Sequence, residues 1–256
     1  MNTGPTNTGP ATTGSARIGT VDRERELRDN LERVRERVQA ACEAAGRPAE
    51  EVTLVAITKT FPISDVRALA ALGVRDLGEN REQELKAKAP DCPEATWHFV
   101  GQLQTNKARS VVRHAQVVHS VDRSSLVAAL SKAAVAEERV VRCLLQVSLA
   151  SYGPDGAATG IARGGVEPAD VPALAAEVAA ADGLELGGVM AVAPLGADPR
   201  DAFAGLHAVA SRLRSEHPGA GWISAGMTGD LEAAIWHGAT HVRLGRALLG
   251  TRPPLG

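Results

Sequence analysis

V-T-L-V-A-I-T-K-T-F-P, Val52 to Pro62, is the stretch from which the rest of the chain is read. A run of apolar and β-branched residues leads into a lone lysine, Lys59, and Pro62 closes it. Such a run reads as a buried parallel strand, with the lysine at its C-terminal end. In barrels of parallel strands that end carries the chemistry. Burial there lowers the pKa of a lysine and exposes a neutral amine, the group a Schiff base with an aldehyde requires. Taken alone, the stretch also fits a lysine that ends a strand in solvent.

Outward from this strand, strand and helix patterns alternate. Asp22 to Ala45 reads as an amphipathic helix, with Leu27, Leu31, Val34, Val38 and Ala41 on one face. After Lys59, Ser64 is placed to cap a helix through Leu72, and V-R-D-L-G forms a second strand. Asn80 starts the next helix, with Gln83 at capping-box spacing. Further strands are expected at Thr96 to Val100, Gln116 to His119 and Val140 to Val147. The last three are expected at Leu184 to Met190, Gly221 to Ser224 and Thr240 to Leu244. Helical patterns separate them, apart from a glycine-rich loop over Ser151 to Gly165. About eight strands favour an α/β fold of the closed (β/α)8 TIM-barrel type over an open doubly wound sheet. No Gly-x-Gly-x-x-Gly follows a strand, which speaks against a dinucleotide fold. Little chain follows the eighth strand, so the helix at Asp22 to Ala45 is expected to fill the last outer position. Residues 1–20, rich in Thr, Gly, Asn and Pro, read as a disordered tail, and residues 21–256 as one barrel.

Composition narrows the function classes. The 256 residues carry a net charge of -2, which offers no electrostatic case for nucleic acid or an anionic membrane. No apolar run reaches the ~18 residues of a spanning helix, and no export signal is visible. Cys42, Cys92 and Cys143 are too far apart for a zinc site or a disulfide frame, and fit a reducing cytoplasm. No histidine spacing suggests a metal.

Two phosphate-type loops fall after the last two strands: S-A-G-M-T-G-D, Ser224 to Asp230, and R-L-G-R, Arg243 to Arg246. Barrels often hold a phosphate there, on backbone N–H groups that glycines such as Gly226 and Gly245 leave accessible. Each loop also fits an ordinary strand-to-helix turn. Arg243 points over the mouth or pairs with a carboxylate. Asn80 is a site residue, a cap, or both. His98, inside a strand, fits a satisfied core histidine as well as a site residue. Met190, at the end of the sixth strand, shapes the pocket floor together with Ala191 and Pro194.

Taken in order, V-A-I-T-K-T, L-G-E-N-R-E-Q-E, W-H-F-V-G-Q-L-Q-T-N-K, H-S-V-D-R, G-G-V-M-A-V-A-P, S-A-G-M-T-G-D-L-E-A-A-I and G-A-T-H-V-R-L-G-R-A-L-L-G resemble the YggS/PROSC-type pyridoxal phosphate homeostasis proteins. The segments span residues 52 to 250. The resemblance implies a fold-type III barrel like the N-terminal domain of alanine racemases, with pyridoxal 5'-phosphate held as an internal aldimine on Lys59. It implies that Ser224, Gly226 and Gly245 hold the phosphate and that Arg243 faces the pyridine nitrogen. Asn80, His98, Met190, Met227 and Arg246 complete the expected cofactor-binding set. Two positions depart from the family pattern: Ala225, commonly Met, and Arg246, commonly Thr or Ser. The family is thought to buffer or deliver the cofactor, with apo-enzymes that need it as recipients, in the cytoplasm; a monomer is expected.

Three functions stay open at this point. The first is a carrier of pyridoxal phosphate that turns over amino acids poorly or not at all. The second is an amino-acid racemase, which would need a second acid–base group such as Tyr152 over the cofactor. The third is a cofactor-free barrel aldolase using Lys59. An arginine against the ring nitrogen weakens the electron sink, and the chain to Gly256 has no room for the racemases' second domain; both favour the carrier.

Overall fold

The computed structural model describes residues 14–153 and 164–251. Their strands are β1 (Thr53–Ile57), β2 (Asp76–Glu79), β3 (Thr96–Phe99), β4 (Val117–Val121), β5 (Val141–Gln146), β6 (Leu184–Met190), β7 (Trp222–Ser224) and β8 (His241–Leu244). All pair in parallel, in chain order, and β8 closes on β1 through the register Thr53 to His241, so the expected closed barrel is present. The helices are α1 (Gly14–Ala44), α2 (Ile63–Ala71), α3 (Glu82–Lys88), α4 (Ala108–His114), α5 (Ser124–Ala136), α6 (Val171–Ala180), α7 (Pro199–Glu216), α8 (Leu231–Trp236) and α9 (Arg246–Leu249).

The main core lies between barrel and helices, where apolar strand residues such as Ala56, Leu77, Val118 and Leu145 meet the buried helix faces. Helix α1 buries Leu27, Leu31, Val34 and Val38, each worth about 1.5–3 kcal/mol when fully removed from water. Its polar face ties it to both neighbours. Arg23 pairs with Asp65 of α2 at 2.6 Å, and Arg37 pairs with Glu232 of α8. Asn30 Nδ2 donates to Leu248 O at 2.8 Å, taking one of the carbonyls at the end of the short α9. Thus α1 occupies the outer position that α9 is too short to fill, as expected.

The structure alters several local expectations. Helix α2 starts at Ile63 with Pro62 as its extended N-cap residue, so Ser64 lies inside the first turn and caps nothing. Pro62, with φ fixed near -70°, already sets the entry, and Asp65 three residues later is drawn to Arg23. Helix α3 starts at Glu82 after Arg81, so Asn80 is not its cap and the Gln83 spacing closes no capping box. Residues 14–20, read as tail, continue α1, since adding turns to a formed helix is cheap. Residues 1–13 lie outside the described part, as do residues 154–163 of the glycine-rich loop. Of that loop, Ala150–Tyr152 form a short 3-10 turn, and Val166 just beyond it bridges to Val147.

Candidate functional site at the C-terminal mouth of the barrel

Lys59 follows β1 by two residues, is half-buried, and precedes the most unusual backbone of the region. Thr60 adopts φ 69°, the left-handed region that a β-branched residue avoids, at a cost of order 1–3 kcal/mol. A buried charged cluster holds this turn. Glu84 Oε2 accepts the Thr60 N–H at 2.6 Å, and Lys88 Nζ donates to Thr58 O at 2.8 Å. Lys88 also donates to Glu79 Oε1 at 2.7 Å and Glu84 Oε2 at 3.1 Å, and Thr58 Oγ1 donates to Glu79 Oε1 at 2.6 Å. Burial raises the Glu79 carboxyl above the usual range, although Lys88 and Thr58 pull it down. Burial also acts on Glu84, but the Thr60 N–H and Lys88 outweigh it and hold that carboxyl low. These residues went unassigned in the sequence because Glu84 and Lys88 look like the charges of a solvated helix face and Glu79 like an ordinary strand-end charge.

The two loops expected to hold phosphate come together. The Arg243 N–H donates to Gly226 O at 2.9 Å. Gly226 is buried at φ 90°, and a Cβ there would stand 2.7 Å from Ala234 Cβ, so only glycine fits. A Cβ on Gly245 would lie 3.2 Å from Ile57 O, which places the loop after β8 against the end of the strand that leads to Lys59. Met227 is exposed and its N–H is taken by Asp230 Oδ1 at 2.6 Å. Arg246 is exposed at the start of α9.

Ser224 and Arg243, last and third residues of their strands, are both buried and bonded to each other: Arg243 Nη1 donates to Ser224 Oγ at 2.7 Å. Arg243 Nη2 donates to Ala191 O at 2.9 Å. Arg243 therefore meets a hydroxyl and a carbonyl, and the carboxylate partner that strand-end arginines often find is not its contact here. Burial lowers its guanidinium to about 10, still charged at neutral pH.

Below Ser224 runs a line of buried polar side chains. His119 Nδ1 lies 2.9 Å from Ser224 Oγ, His119 Nε2 lies 2.8 Å from His98 Nδ1, and His98 Nε2 lies 2.9 Å from Asp76 Oδ1. His98 is thus a satisfied interior histidine, one step removed from Ser224. Burial, then His98, Arg243 and His241, push the His119 imidazole well below its ordinary value. His241, stacked on Trp222 at 4.0 Å, is pushed by burial to about 3. Neither His119 nor Asp76 was assigned from sequence. Every residue of β4 is buried, so no alternation marks which side chains point inward. Met190 packs with Val117 and Leu144 in a small second apolar cluster.

Asn80 Oδ1 and Thr60 Oγ1 are buried with no protein hydrogen-bond partner. Buried polar atoms are normally satisfied, so these two, flanking the ends of β2 and β1, suit a bound polar ligand. Tyr152 lies elsewhere: a Cβ on Gly205 of α7 would touch its hydroxyl, so its ring is seated on an outer helix. Among the described residues no group of three metal-ligating side chains is found, and no helix is long and apolar enough to cross a membrane. An amine, a fixed cation and two tight glycine turns make the mouth suited to an anionic carbonyl compound.

Comparison with known proteins agrees with this chemistry. The family model of the alanine racemase N-terminal domain matches residues 27–253. A pyridoxal phosphate homeostasis protein of Mycobacterium tuberculosis is 44% identical over 252 residues, covering 90% of this chain and 95% of the relative. Its counterpart in Escherichia coli K12 is 35% identical over 242 residues, covering 89% and 97%. The structure of PipY from Synechococcus elongatus PCC7942, with pyridoxal phosphate bound, superposes with a TM-score of 0.73 at 31% identity, covering 88% of this chain and 100% of that one. The chain belongs to the pyridoxal phosphate homeostasis protein family, built on the alanine racemase N-terminal domain.

Proposed function

We propose that this protein binds pyridoxal 5'-phosphate covalently through Lys59 and holds it for intracellular cofactor homeostasis, releasing it to apo-enzymes that need it. The observation that carries this reading is the meeting of Lys59's strand with the glycine turn at Gly245 and of that turn's strand with Gly226 and Ser224. Bound, the cofactor supplies an aldehyde that joins an amine and a ring that withdraws electrons. Lys59 offers the amine. Its neighbour Thr60 is held in a strained turn by Glu84, which restricts where the lysine can reach. Ser224 and the backbone at Gly226 and Gly245 meet the phosphate, and Arg243 meets the ring nitrogen. Asn80 and Thr60, whose buried oxygens have no protein partner, would take the remaining polar edge.

The same residues argue for poor turnover. Arg243 keeps its proton at neutral pH and leaves a ring nitrogen it meets unprotonated, so carbanions gain little from the ring. Racemisation needs two placed acid–base groups, each worth about 10²–10⁴-fold in rate. Lys59 is one. Tyr152, the candidate for the second, is seated on α7. We read the working form as a cytoplasmic monomer. Its net charge of -2 and three buried free cysteines suit that setting.

The test is incubation of the cofactor-loaded protein with L- and D-alanine in deuterated water. Binding without appreciable α-proton exchange is expected. Exchange at rates typical of dedicated enzymes would replace the carrier reading with the racemase reading.

A further inference from the structure

The interior line from Ser224 to Asp76 can be ordered by donor and acceptor roles. Arg243 can only donate, and ionised Asp76 can only accept. With neutral histidines one arrangement satisfies every contact. Arg243 donates to Ser224 Oγ, Ser224 Oγ–H to His119 Nδ1, His119 Nε2–H to His98 Nδ1, and His98 Nε2–H to Asp76 Oδ1. In that arrangement the Ser224 hydroxyl has spent its only proton inward and has none for a phosphate.

To donate to a phosphate, Ser224 must receive a bond from His119 instead. His119 then carries its hydrogen on Nδ1, its Nε2 accepts from His98 Nδ1–H, and His98 Nε2 is left facing Asp76. If no proton is added, a nitrogen lone pair points at a carboxylate across 2.9 Å. One proton added to the pair removes the clash, leaving His98 charged against ionised Asp76 or Asp76 protonated against His98. Counting hydrogens on Ser224, His119, His98 and Asp76, the inward arrangement holds three and the reversed one holds four.

We propose that a phosphate held by Ser224 reverses this relay and draws one proton from solvent into the His98–Asp76 pair at the opposite end of the barrel. The inference rests on the reading that pyridoxal phosphate binds at Ser224. His98 is fully buried, whereas the Asp76 side chain, first residue of β2, is 25% exposed and gives the proton its entry. The added charge also offsets one charge of the phosphate. The other ionisable groups facing the relay are His241 and Arg243 of β8, with Arg142 of β5 and its partner Glu185 beyond Trp222. Burial holds His241 neutral near pH 7, so it does not compete for the proton. His119 and His98 are thus positioning residues that aim the Ser224 hydroxyl.

Asp76→Asn separates this role from a structural one. A carboxamide accepts through its oxygen or donates through its nitrogen, so it completes the relay in either direction with no added proton. Proton uptake on binding is measured calorimetrically in buffers of different ionisation enthalpy, with pyridoxal phosphate and with pyridoxal. With pyridoxal phosphate the wild-type protein is expected to take up about one more proton than Asp76→Asn, and its affinity to fall roughly tenfold per pH unit relative to that variant once the free pair is deprotonated. With pyridoxal the two proteins should match. Ser224→Ala, which lacks the hydroxyl, should show the same reduced proton count as Asp76→Asn and serves as the second variant. Equal counts for wild type and both variants with pyridoxal phosphate bound would overturn the relay and leave the cofactor reading standing. A difference that persists with pyridoxal would also overturn it. No binding of pyridoxal phosphate to the wild type would overturn both.

Discussion

Replacing Lys88 with methionine removes the cation that joins Thr58, Glu79 and Glu84. The wild-type ammonium makes contacts of 2.8 Å, 2.7 Å and 3.1 Å to those three. Glu79 is fully buried, and its Oε2 already has no partner. Without Lys88 it becomes an uncompensated buried charge, a loss that costs about 3–5 kcal/mol. Burial already raises the Glu79 carboxyl, and losing Lys88 raises it further. A carboxyl raised in the folded state favours folding below its unfolded pKa, and that contribution is lost as pH rises through the folded value. The penalty in urea denaturation should therefore be several kcal/mol near pH 8 and smaller near pH 5. Glu79→Gln combined with Lys88→Met should recover much of it, because the fully buried charge is then gone and only the partly exposed Glu84, still bonded to the Thr60 N–H, has lost the cation. The turn at Thr60 should loosen in both proteins, so both should lose cofactor faster than the wild type. A Lys88→Met penalty under about 1 kcal/mol at both pH values, the level of a surface ion pair, would refute the reasoning.

Further outcomes follow from the same geometry. Ser224→Ala should weaken cofactor binding by roughly 1 kcal/mol, since backbone donors remain, whereas Arg243→Ala should disturb the bound chromophore's spectrum more than phosphate retention; the reverse ranking in titrations would exchange the two roles. Acid should destabilise the fold through His241, whose imidazole is held at about 3 by burial. The unfolded chain binds that proton first, so stability present above about pH 6.5 falls by roughly 3 kcal/mol on reaching about pH 4. A pH–stability slope unchanged in His241→Asn would count against this.

The barrel was legible because its signals are local and repeated. Val52 to Ile57 and Leu184 to Met190 read as buried strands, and the face of Leu27, Leu31 and Val34 fixed α1 and its place. Helix starts were less legible. Ser64 and Asn80 are good caps in isolation, but Pro62 and the strand-end turn at Asn80 set the entries instead. At the mouth, glycines 226 and 245 carried their own reason, since a side chain at either meets neighbouring atoms. The supporting residues were hidden. Asp76 and His119 gain meaning only from partners on other strands, and Lys88 from the strand-end Glu79 and Thr58 besides Glu84 of its own helix, contacts that spacing along the chain does not reveal.

The central claim, a cofactor held on Lys59, is tested most directly by borohydride reduction of the protein incubated with pyridoxal phosphate, followed by peptide mass mapping. The expected result is a single pyridoxyl group on Lys59, absent from Lys59→Ala. Full labelling of one other lysine in Lys59→Ala, or labelling scattered over surface lysines in the wild type, would contradict it.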